Sequence, residues 1–494
     1  MSEPNPPSTT EETALLAPRI VRLLALATGA YFLLRLLYFV VAIHHSVPPD
    51  EITHMHRVTF FSQFFFLPYG EPGDGNTHLW TMRYHPPLYY LLAGKFLWLN
   101  VFGTSDLVFT RLLSVMLSCG TVAVGWRFIK EVSAKPWVQL LFLVMLTNTM
   151  MFSVLSAVVN YDALVNLLAA ASIYYMTCYF KRRGPRDLML LVVTLLLAAL
   201  TKTSTLPFCF AVTVAVVAHE RRQLLSGLLD VLQWIRSPGV MSNVLASVVV
   251  LLLGWNVFLY GNNVLRFGHL VPKNQQVLSE EDIKSHPMGA RRSIYVGYLQ
   301  GKRSLEESIA LAKQMEDKAS SYDTVNLLKY AAHRAETEGP FVPMSRWDYA
   351  KPWSKLMYYS IFGVMGHSVL YKGFWGYLPY GVCLLAALAV VLFRGYRREV
   401  PGRDYLFLAM FLFYMVILMQ AVNYQAYLNF QLPHISVQGR YLFPFLLPIY
   451  GLTATYLLSW GTRRVQVGVA VVVGLYFVYG DFPYFLQHWG SGPW

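Results

Sequence analysis

Apolar runs of about 20 residues recur along this chain, each long enough to cross a hydrocarbon core of roughly 30 Å. Backbone inside lipid must satisfy its own hydrogen bonds, and these runs are too long and continuous for barrel strands. They therefore read as helices. The spans fall at 20–43, 107–128, 137–155, 163–180, 187–201, 206–219, 240–260, 374–394, 404–422, 441–460 and 466–480. This predicts an all-α polytopic membrane protein with about eleven (10–13) transmembrane helices. Of 494 residues, 55% are hydrophobic and only 14% charged, well below the charged content of a soluble domain. The net charge of +13 would suggest nucleic acid in a soluble protein. Here it is accounted for by cytoplasmic loops rich in Lys and Arg, and no nucleic-acid partner is expected. Cys119, Cys178, Cys209 and Cys383 all lie inside apolar runs and read as small buried hydrophobes.

Loop charge gives the orientation. KRRGPR (181–186), HERRQ (219–223), FRGYRREVPGR (393–403) and GTRR (461–464) are basic and alternate along the chain, so they share the cytoplasmic side. Four regions follow: a polar, Pro-rich cytoplasmic tail at 1–19; an N-terminal membrane module at 20–260 that includes an external loop at 44–106; an external, mostly helical subdomain at 261–373; and C-terminal spans at 374–494. The segment 86–102 is shorter, carries Lys95, and reads as an interfacial helix. In the subdomain, Ser304 and Glu307 form a capping box ahead of a helical stretch, and Gly339-Pro340 ends a second one. The location expected is a bacterial inner membrane, with the external loops facing the periplasm.

On that topology the unusual polar residues gather on the outer side. The first loop reads VPPDEITHMH, with Asp50 and Glu51 adjacent and His54 and His56 behind them. Adjacent side chains diverge by about 100° on a helix or point to opposite faces of a strand. One acid can therefore address a reacting group while the other holds the loop, or both can be plain solvated acids. Asp50, His54 and His56 resemble a metal cluster but lack a recognised zinc spacing, so structural or substrate-bonding histidines are preferred over ligands. Asp162, in VVNYDALVN, is either a favourable charge at a helix start or a second site carboxylate. Lys202 is a snorkelling lysine or a cation for an anionic headgroup, and Arg440 is an arginine on the side where arginine is rare. Arg83, Tyr84, His85, Asn160, Gln438 and Tyr441 complete the candidate substrate-binding set.

The order Asp50-Glu51, HPPLYY (85–90), Arg111, the NYD turn (160–162), Lys202 and QGRY (438–441) resembles the GT-C superfamily of membrane glycosyltransferases. The architecture is that of lipid A aminoarabinose transferases and protein O-mannosyltransferases; QGRYLFPFLLP is similar to a less characterised bacterial branch. The resemblance covers about 20–210 and 372–450, and leaves 261–373 without a counterpart. It implies transfer of a sugar from a polyprenyl-phosphate donor to a glycan, lipid or protein acceptor on the non-cytoplasmic face. Asp50 or Glu51 would be the general base, with Asp162 as a second acid. Arg83, Lys202 and Arg440 would offset charge on the leaving phosphate. Inversion at the anomeric carbon is expected; retention would need Asp162 as a nucleophile. No cofactor is required, and a divalent cation is left open. The competing reading is a transporter or polymerase-like protein for lipid-linked saccharides that makes no glycosidic bond of its own.

Overall fold

The computed structural model describes residues 18–45, 47–64, 84–236, 239–272, 274–277, 287–315, 318–365, 369–370, 373–480 and 482–489. Nearly all of this is helix; the β-structure among the described residues is one antiparallel pair, Val364–Met365 with Val369–Leu370. Seven described helices are long and apolar enough to cross a membrane: Arg19–Ala42, Asp106–Val132, Asp162–Arg182, Thr203–Glu220, Val240–Phe267, Trp375–Tyr396 and Gly402–Phe430.

The count of eleven spans expected from hydropathy is not confirmed, and two of the other four expected runs are interrupted. The run expected at 137–155 is broken into Pro136–Asn148 and Met150–Leu155 by an extended residue, Thr149. The run at 187–201 is the short helix Pro185–Ala199, and 441–460 begins as the tight 3-10 turn Gly439–Phe445 before Leu446–Leu457. The last run lies in Arg463–Gly480. Residues 145–155 around the break and the 3-10 turn are buried almost throughout, so protein rather than lipid meets their irregular backbone, the condition under which such breaks are tolerated at membrane depth.

Arg35 shows how one break is satisfied. Its guanidinium donates to the Thr147 carbonyl, to Asn148 Oδ1 at 3.0 Å and to Ser153 Oγ at 2.8 Å. The cation thus sits on the C-terminal end of Pro136–Asn148, where orphan carbonyls and the helix dipole favour positive charge. Thr149 Oγ1 and Tyr450 Oη pair at 2.6 Å on the other side of the break.

The helix Asp162–Arg182 sets the height of the molecule. Asp162 stands in its first turn and Lys181 and Arg182 in its last, matching the dipole at both ends. Its 21 residues span roughly 30 Å. Packed against it are Asp106–Val132 and Pro185–Ala199. The basic stretches 181–186, 219–223, 393–403 and 461–464 all lie at the end of the bundle away from Asp162, because each adjoins the far end of a helix that starts or finishes at the Asp162 end.

Two short helices in the first loop, Glu51–Ser62 and Leu88–Leu97, pack together at the Asp162 end. The contact is close: a Cβ on Gly94 would lie 2.8 Å from the backbone of Phe61 and Ser62. In the segment 261–373, Ser304 Oγ accepts from the Glu307 N–H at 3.1 Å and starts Leu305–Lys313. The helix Lys318–Glu338 stops at Gly339, which has φ +77. Pro287–Leu299, Leu305–Lys313 and Lys318–Glu338 share a small core with Leu432, which joins them to the segment leading into Gly439.

Candidate active site

Asp50 and Glu51 part company where the first-loop helix begins. Asp50 is its N-cap residue, in the left-handed region at φ 59, ψ 17, a conformation that Asp and Asn tolerate better than most side chains. Its side chain is 39% exposed. Glu51 is fully buried. Its carboxylate takes two hydrogen bonds from Arg111, Nε to Oε1 at 2.8 Å and Nη2 to Oε2 at 2.6 Å, and a third from the Val159 N–H at 2.7 Å. The other Arg111 nitrogen donates to the Val40 and Ile43 carbonyls. One bidentate pair therefore ties together the end of the first span, the first loop, the helix Asp106–Val132 and the turn before Asp162. Of the two acids, Glu51 is the one that holds the loop.

Asp50, Asp162, Lys202 and Arg440 come together from four separate stretches of chain. Lys202 Nζ lies 2.6 Å from Asp162 Oδ1, and Arg440 Nη1 lies 3.3 Å from Asp162 Oδ2. Arg440 Nη2 is 3.8 Å from Asp50 Oδ2. The cluster thus holds two carboxylates and two cations, with Asp162 between the cations and Asp50 at the more open edge. Asn160 shapes the turn: its Oδ1 accepts from the Asp162 N–H at 2.8 Å, and its Nδ2 reaches the Pro49 carbonyl at 3.5 Å. Tyr161 and Tyr441 both face the Lys202 ammonium, with ring centroids at 4.3 and 5.0 Å.

Arg440 is placed by Gly439. A Cβ there would sit 2.5 Å from Ile361 N and 2.6 Å from Met357 O, so the turn lies directly on the backbone of Arg346–Phe362. The Gly439 N–H donates to Ser360 Oγ at 2.6 Å. Gln438 leads into the turn in an extended conformation, and its Oε1 has no hydrogen-bond partner among the described residues.

A second wall is built from the first-loop helices. His54 is buried, with Nδ1 2.7 Å from Tyr90 Oη, and its ring lies edge-on to Tyr161 at 4.6 Å. Arg57 donates to the same Tyr90 oxygen at 3.2 Å. Burial first, then the nearby Arg57, Arg440 and Lys202 charges, holds the His54 pKa well below the ordinary histidine value. His85 is pushed down to about 4 by burial, then by Arg57. Both imidazoles are neutral near pH 7.

The remaining candidates fall elsewhere. His56 points to the exposed side of the helix that buries His54, so the two do not converge on one ion. Among the described residues no three His, Cys, Asp or Glu groups are placed to hold a metal. Tyr84 is buried edge-on to Phe267 at 5.0 Å, and its carbonyl accepts from Asn263. Arg83 lies outside the described residues. Sequence reasoning passed over Arg57 and Tyr161. A signal for Arg57 was present, since Asp50, His54 and Arg57 follow i, i+4, i+7 spacing, but it has meaning only once the loop is known to be a helix.

Residues 84–254 match the family model described as dolichyl-phosphate-mannose-protein mannosyltransferase. Among solved structures, the chain is similar to the archaeal oligosaccharyltransferase AglB from Archaeoglobus fulgidus, in complex with an inhibitory peptide and a dolichol-phosphate. The identity is 11% and the TM-score 0.42, over 94% of this chain and 55% of that one. This chain therefore spans about half the length of that relative. No curated protein matches by sequence. The family match takes in HPPLYY from Tyr84 onward, Arg111, the NYD turn and Lys202, so it and the motif order agree on the GT-C superfamily of membrane glycosyltransferases as the group this chain resembles.

Proposed function

We propose that the protein transfers a sugar from a polyprenyl-phosphate donor to a glycan, lipid or protein acceptor, with Asp50 as general base. The observation that carries this reading is the unequal fate of the two first-loop acids. Glu51 is consumed by Arg111 and Val159, while Asp50 is partly exposed at the edge of a cluster holding Lys202 and Arg440. The acceptor O–H gives its proton to the Asp50 carboxylate as its oxygen attacks the anomeric carbon. The bond from that carbon to the phosphate oxygen breaks, and the phosphate departs with the electron pair. Lys202 and Arg440, with Arg83 as a further candidate, supply positive charge against it. Asp162 orders the two cations. In-line displacement with base and phosphate on opposite faces of the sugar inverts the anomeric centre.

The topology behind this reading is the eleven-span one. Its basic ends face the cytoplasm and its site faces the other side, the periplasm of a bacterial inner membrane. Residues 20–260 form the catalytic module, 374–494 add the Arg440 wall, and 261–373 stand over the acceptor side. The reaction as written needs no resident cofactor. A transporter would use the broken helix at Thr149, but Arg35 and its partners fill that break.

Mass spectrometry of lipid co-purified with the full chain, followed by transfer from that lipid in proteoliposomes, tests the proposal. A polyprenyl-phosphate sugar that is consumed with formation of a new glycoside supports it. A lipid-linked saccharide that crosses the bilayer chemically unchanged supports transport instead.

A further inference from the structure

Within the reading just given, Lys202 and Arg440 are the expected phosphate contacts, yet both are already ion-paired with Asp162. Arg57 is not. Among the described residues it forms no ion pair with a carboxylate, and its Nε has no hydrogen-bond partner. It reaches Tyr90 through one nitrogen only, at 3.2 Å, with the guanidinium 5.5 Å from the Tyr90 ring centroid.

His54 is the second unclaimed group. Arg57 donates to the Tyr90 oxygen, and among the described residues the Tyr90 hydrogen has His54 Nδ1 as its one acceptor, so the tautomer that satisfies Tyr90 has His54 accepting at Nδ1. A neutral imidazole that accepts at Nδ1 carries its proton on Nε2. That nitrogen is buried without a partner among the described residues, in a side chain whose residue is 3% exposed. A buried donor left unmade is costly, and a ligand oxygen removes the cost. His54 and Arg57 are one turn apart on the same helix face as Asp50. Tyr161 joins this face to the main cluster, touching His54 at 4.6 Å and Lys202 at 4.3 Å.

We propose that Arg57 and His54 form a subsite for a phosphate oxygen of the substrate, separate from the Lys202–Arg440 pair. A phosphate reaching Lys202 competes with Asp162, and one reaching the unpartnered Arg440 Nε meets two carboxylates already beside that guanidinium, whereas one reaching Arg57 breaks no ion pair and gains a charge-assisted bond. His54 adds a neutral N–H, which suits an acceptor oxygen without adding charge. The depressed pKa of His54 is consistent with that role.

The test uses the full chain in lipid nanodiscs, with farnesyl phosphate as the probe and farnesol as its uncharged control. Wild type is expected to bind farnesyl phosphate at least tenfold more tightly than farnesol. Arg57→Gln should lose about 10-fold or more of that margin, Arg57→Lys only part of it, and the exposed control His56→Gln none. If Arg57→Gln does not purify, His54→Phe reads out the same subsite through loss of its N–H, and about a tenfold loss is expected. Inorganic phosphate distinguishes the source of the ligand. Competition as strong as that of farnesyl phosphate, abolished in the Arg57 variant, supports the subsite and makes free phosphate its occupant. Weak competition with farnesyl phosphate binding intact supports the lipid-linked one. Wild-type affinity in both Arg57→Gln and His54→Phe overturns the subsite and leaves the transfer reaction standing. If wild type binds neither phosphate, both fall together.

Discussion

Replacing Glu51 by Gln should unfold the first loop before it affects any chemistry. The carboxylate is fully buried and receives three hydrogen bonds, two from Arg111 and one from Val159. Gln keeps the volume but offers one acceptor oxygen and an NH₂ where Arg111 or the backbone also donates. Arg111 would remain as a buried cation, 2% exposed, with the Val40 and Ile43 carbonyls as its hydrogen-bond partners among the described residues. Removing one partner of a buried pair costs about 3–5 kcal/mol, mostly because the other charge is left uncompensated. The assay is thermal unfolding of purified protein in detergent for Glu51→Gln, Arg111→Gln and the double variant. Each single change should lower the melting temperature sharply, and the double variant should cost clearly less than their sum. Transfer by Glu51→Gln should fall only in step with the folded fraction. A Glu51→Gln protein that melts like wild type but transfers no sugar would refute the anchoring role and make Glu51 the base.

Other expectations follow from single contacts. Gly439→Ala puts a methyl 2.5 Å from Ile361 N. It should cost about 1–3 kcal/mol by overpacking and reduce transfer further by displacing Arg440, seen as a kcat loss larger than the melting shift explains. Arg35→Leu strips the donors from Thr147, Asn148 and Ser153 at the helix break. A cost of about 1–3 kcal/mol for each group left unpaired is expected, with partial rescue by Arg35→Lys, checked by melting in detergent. His85 is held neutral, with its pKa near 4 against 6.5 in an unfolded chain. Its contribution is therefore complete above about pH 6.5 and is lost as pH falls toward 4, roughly 3 kcal/mol in all. His85→Gln should flatten the pH dependence of the melting temperature in that window and leave pH 7–8 unaffected by this titration.

Hydropathy was enough to read the all-helical membrane character and the segregation of basic loops to one end, because both depend on composition averaged over many residues. The count of eleven spans is not confirmed, and hydropathy could not show the interruption inside the run 137–155. Asn148-Thr149 sits inside a run as apolar as its neighbours, and the break is stabilised by Arg35, more than a hundred positions earlier. The polar cluster was legible as a set, since Asp50, Asp162, Lys202 and Arg440 stand out against apolar surroundings. Who pairs with whom was not legible. Glu51 and Arg111 are 60 residues apart, and nothing local says which of two adjacent acids meets the arginine. Gly439 looked like part of a motif; its reason is the backbone of another helix 2.5 Å from where a Cβ would go.

The most direct test of the account is the rate of sugar transfer by Asp50→Asn in proteoliposomes. Asn keeps the left-handed backbone conformation accessible and removes the basic oxygen together with a long, half-exposed ion pair to Arg440 that retains Asp162, so the melting temperature should fall by only a few degrees. The rate should fall by about 10²–10⁴, the usual contribution of a general base. A folded Asp50→Asn protein that transfers sugar within a few fold of wild type would contradict the assignment of Asp50 as the base.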